Sequence, residues 1–186
     1  MSRKISNIVL NYLLLFGIAG LIIALDQYTK EVVRQNLAVG GRWAPWDWLY
    51  PYARILHYYN TGVAFGMFQG MNTIFASLAV IVALAIIYYY PRVAANDWTL
   101  RIALCLQLGG ALGNLVDRVT QGYVTDFISV GDFAIFNIAD SSISIGVAIL
   151  LLGVWIQERR KKNKPTSLST NPLETSTIPG NDQSSQ

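Results

Sequence analysis

The chain has 186 residues, of which 53% are hydrophobic and only 13% charged, against about a quarter charged in an average soluble domain. The apolar excess is gathered into four long runs, which indicates an integral membrane protein of one domain with no room for a second. The net charge of +3 comes from short basic clusters at the edges of those runs, which excludes nucleic acid as a partner.

Arg3 and Lys4 precede the first apolar run, Ile8 to Leu25, which is about long enough for a hydrocarbon layer of roughly 30 Å. It ends in Ala24-Leu25-Asp26 without a small-x-small site, so a retained helix of about 8–25 is expected rather than a cleaved signal peptide. Asp26 and Lys30 are four apart and can pair on one face. Taken singly, Asp26 reads as a helix-end anchor or as a functional group.

Residues 37–60 change character. Trp43, Trp46, Trp48, Tyr50, Tyr52, Tyr58 and Tyr59 crowd there with Pro45 and Pro51, a stretch too broken for a spanning helix. Amphipathic rings favour the headgroup zone, so a small extramembrane cap on the lipid surface is expected, with short strands near Arg54 to Tyr59. Asn60 to Phe68 then sets an amide and two glycines beside an apolar entry. Asn60 alone reads as a turn cap. The glycines around Phe65 and the interfacial tryptophans suggest that the cap moves over a bound ligand.

The second helix is expected at about 71–90, stopped by Pro91 and Arg92, and the third at about 100–116. Gly109-x-x-x-Gly113 allows close helix packing and is read as that alone. Asn114, Asp117 and Arg118 share a face near the third helix's end. A short polar loop follows, and this region holds Asp117, Asp126, Asp132 and Asp140. The fourth helix is expected at about 138–156, with Asn137 and Asp140 on one face at its start. After it come Arg159, Arg160, Lys161, Lys162 and Lys164. Residues 163–186 are rich in Ser, Thr, Pro and Asn and are expected to be disordered, leaving 1–162 as the folded unit.

The fold class read from this pattern is an all-α membrane protein: four transmembrane helices with a small extracytoplasmic β-like cap. Arg3, Lys4, Arg92, Arg101, Arg159, Arg160, Lys161, Lys162 and Lys164 fall on one side, and Lys30, Arg34, Arg42, Arg54 and Arg118 on the other. That asymmetry puts both termini in the cytoplasm. Asp26, Asn60, Asn114, Asp117, Arg118, Asp126, Asn137 and Asp140 then all lie at outer helix ends or in outer loops. Polar faces in a bilayer turn inward, so a shared pocket at the outer leaflet is the simplest packing.

Few chemistries suit such a pocket. The one cysteine, Cys105, allows no internal disulfide and no cysteine metal site, and no HExxH or other zinc spacing occurs, so no metal and no cofactor is expected. His57 is the sole histidine and no GxSxG occurs, which leaves Ser-His chemistry poorly supported, and His57 reads as a surface or interface residue. A Ser-Lys pair would need a lysine inside the four expected helices, and none falls there. Two close carboxylates in a low-dielectric site share a proton and can hydrolyse a peptide bond as acid and base. On the residues alone, a proton-coupled transporter and a structural membrane subunit stay open beside the peptidase.

Four blocks narrow this. Asp26-Gln27-Tyr28-Thr29-Lys30, Asn60 through Gly66, Gly109 through Arg118 with Val124-Thr125-Asp126-Phe127, and Phe136-Asn137-Ile138-Ala139-Asp140-Ser141 occur in order between the apolar spans. Together, over roughly residues 8–157, they resemble the bacterial lipoprotein signal peptidases (signal peptidase II). The resemblance implies an aspartic endopeptidase of the cell inner membrane. It would remove the signal peptide from prolipoproteins just before a cysteine carrying diacylglycerol. It implies Asp126 and Asp140 as the catalytic pair, with Asn60, Asn114, Arg118 and Asn137 lining the substrate pocket and Asp26 and Asp117 supporting it. It also implies membrane lipid around the enzyme and the inhibitor globomycin in the same cleft. The link from Asp126 to Asp140 is short for the family.

Overall fold

The computed structural model describes residues 2–62 and 67–162. The glycine hinge expected around Phe65 and the tail 163–186 lie outside the described residues.

Four long helices carry the apolar runs: α1 (Ser2–Asn36), α2 (Asn72–Tyr89), α3 (Trp98–Thr120) and α4 (Ile138–Lys162). Each contains a stretch long and apolar enough to cross a membrane: Val9–Asn36, Asn72–Arg92, Trp98–Thr120 and Ile138–Arg159. Three of them outrun the sequence expectation, α1 by more than two turns. Apolar run length marks only the lipid-facing part of a helix. The C-terminal extensions of α1 and α3 are polar and carry buried partners, Lys30 and Asp117 among them, which the hydropathy of a run does not register.

Helix α3 is the central helix and packs against α1, α2 and α4. Small residues make this possible. A side chain at Gly109 would lie 2.8 Å from the Ile22 Cβ of α1, and one at Gly110 would lie 2.4 Å from the Ala139 carbonyl oxygen of α4. Below the polar end, Leu15, Ala19, Ala83, Ile86, Tyr90, Cys105 and Leu108 form the buried apolar core. Asp97 caps α3, its carboxylate accepting from the Leu100 amide (3.1 Å) and the Thr99 hydroxyl (2.8 Å).

The cap is a three-stranded antiparallel sheet in the order β1 (Arg42–Trp43), β2 (Ala53–Asn60), β3 (Val124–Val130). The third strand is a correction: where a polar loop is expected after the third helix, 124–130 pairs with β2. His57 is also corrected. It is buried rather than at a surface, and its Nδ1 lies 2.7 Å from the Leu37 carbonyl oxygen, tying β2 to the end of α1. Many aromatic rings expected at the interface are exposed, among them Trp43, Trp46, Trp48 and Tyr52, with Trp46 stacked on Trp48.

Candidate active site

The site forms where β3 crosses the ends of α3 and α4. Strand alternation puts Val124 and Asp126 on one face. The register sets Asn60 opposite Val124 and Tyr58 opposite Asp126, so Asn60 is the diagonal neighbour of Asp126 on that face. The Asn60 Nδ2 donates to Asp126 Oδ2 at 2.9 Å.

Asn137 and Asp140 open α4 as a reciprocal cap. The Asp140 amide donates to Asn137 Oδ1 (2.9 Å), and the Asn137 amide donates to Asp140 Oδ2 (3.3 Å). The Asn137 Nδ2 donates to Asp126 Oδ1 (2.7 Å) and to Asn114 Oδ1 (3.1 Å). The Asn114 Nδ2 in turn donates to Asp140 Oδ1 at 2.7 Å. All four carboxylate oxygens of Asp126 and Asp140 therefore accept an N–H, three from asparagine side chains and one from the backbone.

Both carboxylates line one cleft of about 580 Å³, with Asn60, Asn114 and Arg118 on its polar wall and Phe133, Ile135, Phe136, Ile143 and Ile145 on its apolar wall. Asp126 is buried, and desolvation first and the Asp140 charge second push its carboxyl up to about 7; the amide donors Asn60 and Asn137 and the Lys30 charge oppose them.

One residue expected on the lining holds another place, and the two expected to support the pocket lie beneath it. Asn137 does not line the cleft; it is fully buried behind the two carboxylates and bridges them. Asp26 and Asp117 are also fully buried, one layer beneath. Asp26 accepts from the Ala139 amide (2.9 Å) and so holds the start of α4. Asp117 accepts from the Thr125 amide (2.9 Å) and so holds β3. Arg118 does reach the cleft, donating through Nη2 to the Gly62 carbonyl (3.2 Å). Asp132, the fourth acid of the region, is exposed.

The sequence reading missed Lys30 as an interior group. A first helix ending at Leu25 holds no lysine, whereas α1 runs on to Asn36. Lys30 lies in α1 with no exposed surface and contacts Asp26 Oδ2 (2.7 Å), Asp117 Oδ2 (3.2 Å) and Asn114 Oδ1 (3.0 Å). Its three ammonium donors are thus matched, so it is no free base for a neighbouring serine. The i,i+4 spacing to Asp26 was the available signal; the helix extension that buries it was not.

The fold and site define a multi-pass membrane protein whose helix ends close on a pair of carboxylates. Residues 18–156 match the family described as Signal peptidase (SPase) II. The chain belongs to that family, and it is a signal peptidase. It is 45% identical over 149 residues to the lipoprotein signal peptidase of Shouchella clausii, covering 78% of this chain and 95% of that one. To the lipoprotein signal peptidase of Staphylococcus aureus it is 32% identical over 151 residues, covering 79% and 91%. A bacterial membrane enzyme solved by the in meso method at 2.3 Å resolution superposes with a TM-score of 0.74 at 32% identity, covering 81% of this chain and 92% of that one.

Proposed function

We propose that this peptidase cuts diacylglyceryl-modified prolipoproteins before the lipidated cysteine, with Asp126 and Asp140 as its acid/base pair. The carrying observation is the pair itself: two carboxylates on one cleft, oriented by a shared set of amides, with Asp126 pushed up to about 7. Such a pair holds one proton near neutral pH. The ionised member takes a proton from water, and the hydroxide formed attacks the scissile carbonyl. The protonated member hydrogen-bonds the carbonyl oxygen and then protonates the leaving amine. The pair ends with one proton, as it began, but on the other carboxyl, and passage of that proton back between the two resets the cycle.

Asn60, Asn114 and Arg118 face the substrate on the polar wall, and the apolar wall suits residues of a signal peptide. Globomycin would compete for this cleft. The folded unit 1–162 sits in the bacterial cytoplasmic (inner) membrane with both termini in the cytoplasm, following the Lys/Arg asymmetry, and the cleft opens near the outer leaflet. There a diacylglyceryl cysteine holds its acyl chains in lipid and brings the bond to the carboxylates.

The test is cleavage of a diacylglyceryl-modified prolipoprotein peptide by the purified protein in detergent, beside Asp126→Asn and Asp140→Asn. Cleavage before the cysteine, lost in both folded variants, is the expected result. Turnover surviving in either variant moves the chemistry to another acid, and a folded native protein that cleaves nothing overturns the proposal.

A further inference from the structure

We infer that Lys30 is a positioning residue for the reaction: through Asn114 it orients Asp140, and its charge sets the pH range in which the carboxylate pair works. The inference rests on the pair being the catalytic one.

The geometry carries the first half. The Asn114 Oδ1 accepts from Lys30 Nζ (3.0 Å) and from Asn137 Nδ2 (3.1 Å). Two donors on one oxygen fix which end of the amide faces which way, and the Nδ2 is thereby turned to Asp140 Oδ1 (2.7 Å). A flipped amide would set N–H against the ammonium and a carbonyl oxygen against the carboxylate, two unfavourable contacts in a buried place. Lys30 touches neither reacting carboxylate; it acts one residue removed.

The charges carry the second half. Asp26, Asp117, Asp126 and Asp140 gather here on α1, α3, β3 and α4. The cations facing them are Lys30 and Arg34 of α1 and Arg118 of α3. Arg34 also pairs with the exposed Glu31 (2.9 Å), so the four buried acids meet Lys30, Arg118 and a shared Arg34; at least one negative charge is unmatched, and one shared proton on the pair reduces it. Lys30 is the only one of the three with no exposed surface, so its charge is the least screened by solvent. Taking it away leaves a second charge unmatched, and the pair then keeps its proton to higher pH.

The experiment measures kcat and KM against pH for the native enzyme, Lys30→Met and Lys30→Arg, with thermal melting in the same detergent. Native cleavage is the control that separates this inference from the proposed function: if the native enzyme is inactive, the earlier reading fails first. The expected result for Lys30→Met is a pH optimum moved up by about one unit. A fall of about tenfold or more in kcat with KM nearly kept should accompany it. Lys30→Arg, which keeps the charge, should keep the native optimum even where its rate falls. A merely structural lysine would lower the amount of folded enzyme and leave the optimum in place. Should Lys30→Met not melt cooperatively, Asp26→Asn/Lys30→Met removes one charge of each sign and should keep the native optimum while kcat falls, because the contact that orients Asn114 is still lost. A folded Lys30→Met enzyme with the native optimum and kcat, or a folded double variant with the native kcat, overturns the inference.

Discussion

Asn137 performs two tasks that a pair of substitutions can separate. Its Oδ1 caps α4 by accepting from the Asp140 amide (2.9 Å), while its Nδ2 reaches Asp126 Oδ1 (2.7 Å). Asn137→Ala removes both. The cap is worth about 1 kcal/mol, and the hydrogen bond to a carboxylate about 1.5–3 kcal/mol. Serine caps a helix about as well as asparagine, but its short hydroxyl does not extend to the strand, so Asn137→Ser keeps the first task and loses the second. Losing the second should lower kcat by roughly 10- to 100-fold in both variants, at about 1.4 kcal/mol per factor of ten. The cap term should show only in melting, with Asn137→Ala below Asn137→Ser by roughly 2–4 °C. The assay pairs peptide cleavage with thermal melting in one detergent. Native kcat in Asn137→Ser would refute the argument that this amide orients the pair, and equal melting of the two variants would refute the cap.

Stability should fall as pH rises from about 4 to 7. Asp126 holds its proton up to about 7 when folded and loses it near the ordinary 3.8 when unfolded, so over that window the folded state binds more protons. The difference is at most about 4 kcal/mol. Asp126→Asn should flatten the melting temperature over the same range, and a native melting curve independent of pH between 5 and 8 would contradict the burial argument. Gly110→Leu should prevent stable folding or lower the melting temperature by more than 10 °C, because its first carbon already meets backbone of α4 at 2.4 Å. Gly17→Ala, with nothing within 4 Å, serves as the control with little change. His57→Gln should leave both limbs of the activity–pH profile in place, since His57 bonds the end of α1 and does not line the cleft.

The sequence by itself determined the class, the helix count and the residue types at the site. Hydrophobic run length is a local property, so α2 was legible almost to the residue, and the spacing of Asn114 to Arg118 and of Asn137 to Asp140 was legible because helix periodicity is local as well. The tertiary structure decided the rest. Only strand pairing reveals that 124–130 is β3, because a seven-residue stretch buried on both faces has no alternating polarity to betray it. Only the packing of α1 on α3 makes Lys30 an interior cation, and Asp26 its buried partner rather than a helix-end anchor. Glycines at 109, 110 and 113 let three backbones approach until four carboxylates gather at one end of the bundle. Which of those acids faces the cleft and which supports it from beneath follows from that approach. Asp26 and Asp117 meet Lys30 and backbone amides, and Asp126 and Asp140 meet asparagines and open space. Sequence spacing brings acids of the same type to one end of a bundle; partners from distant segments set their separate tasks.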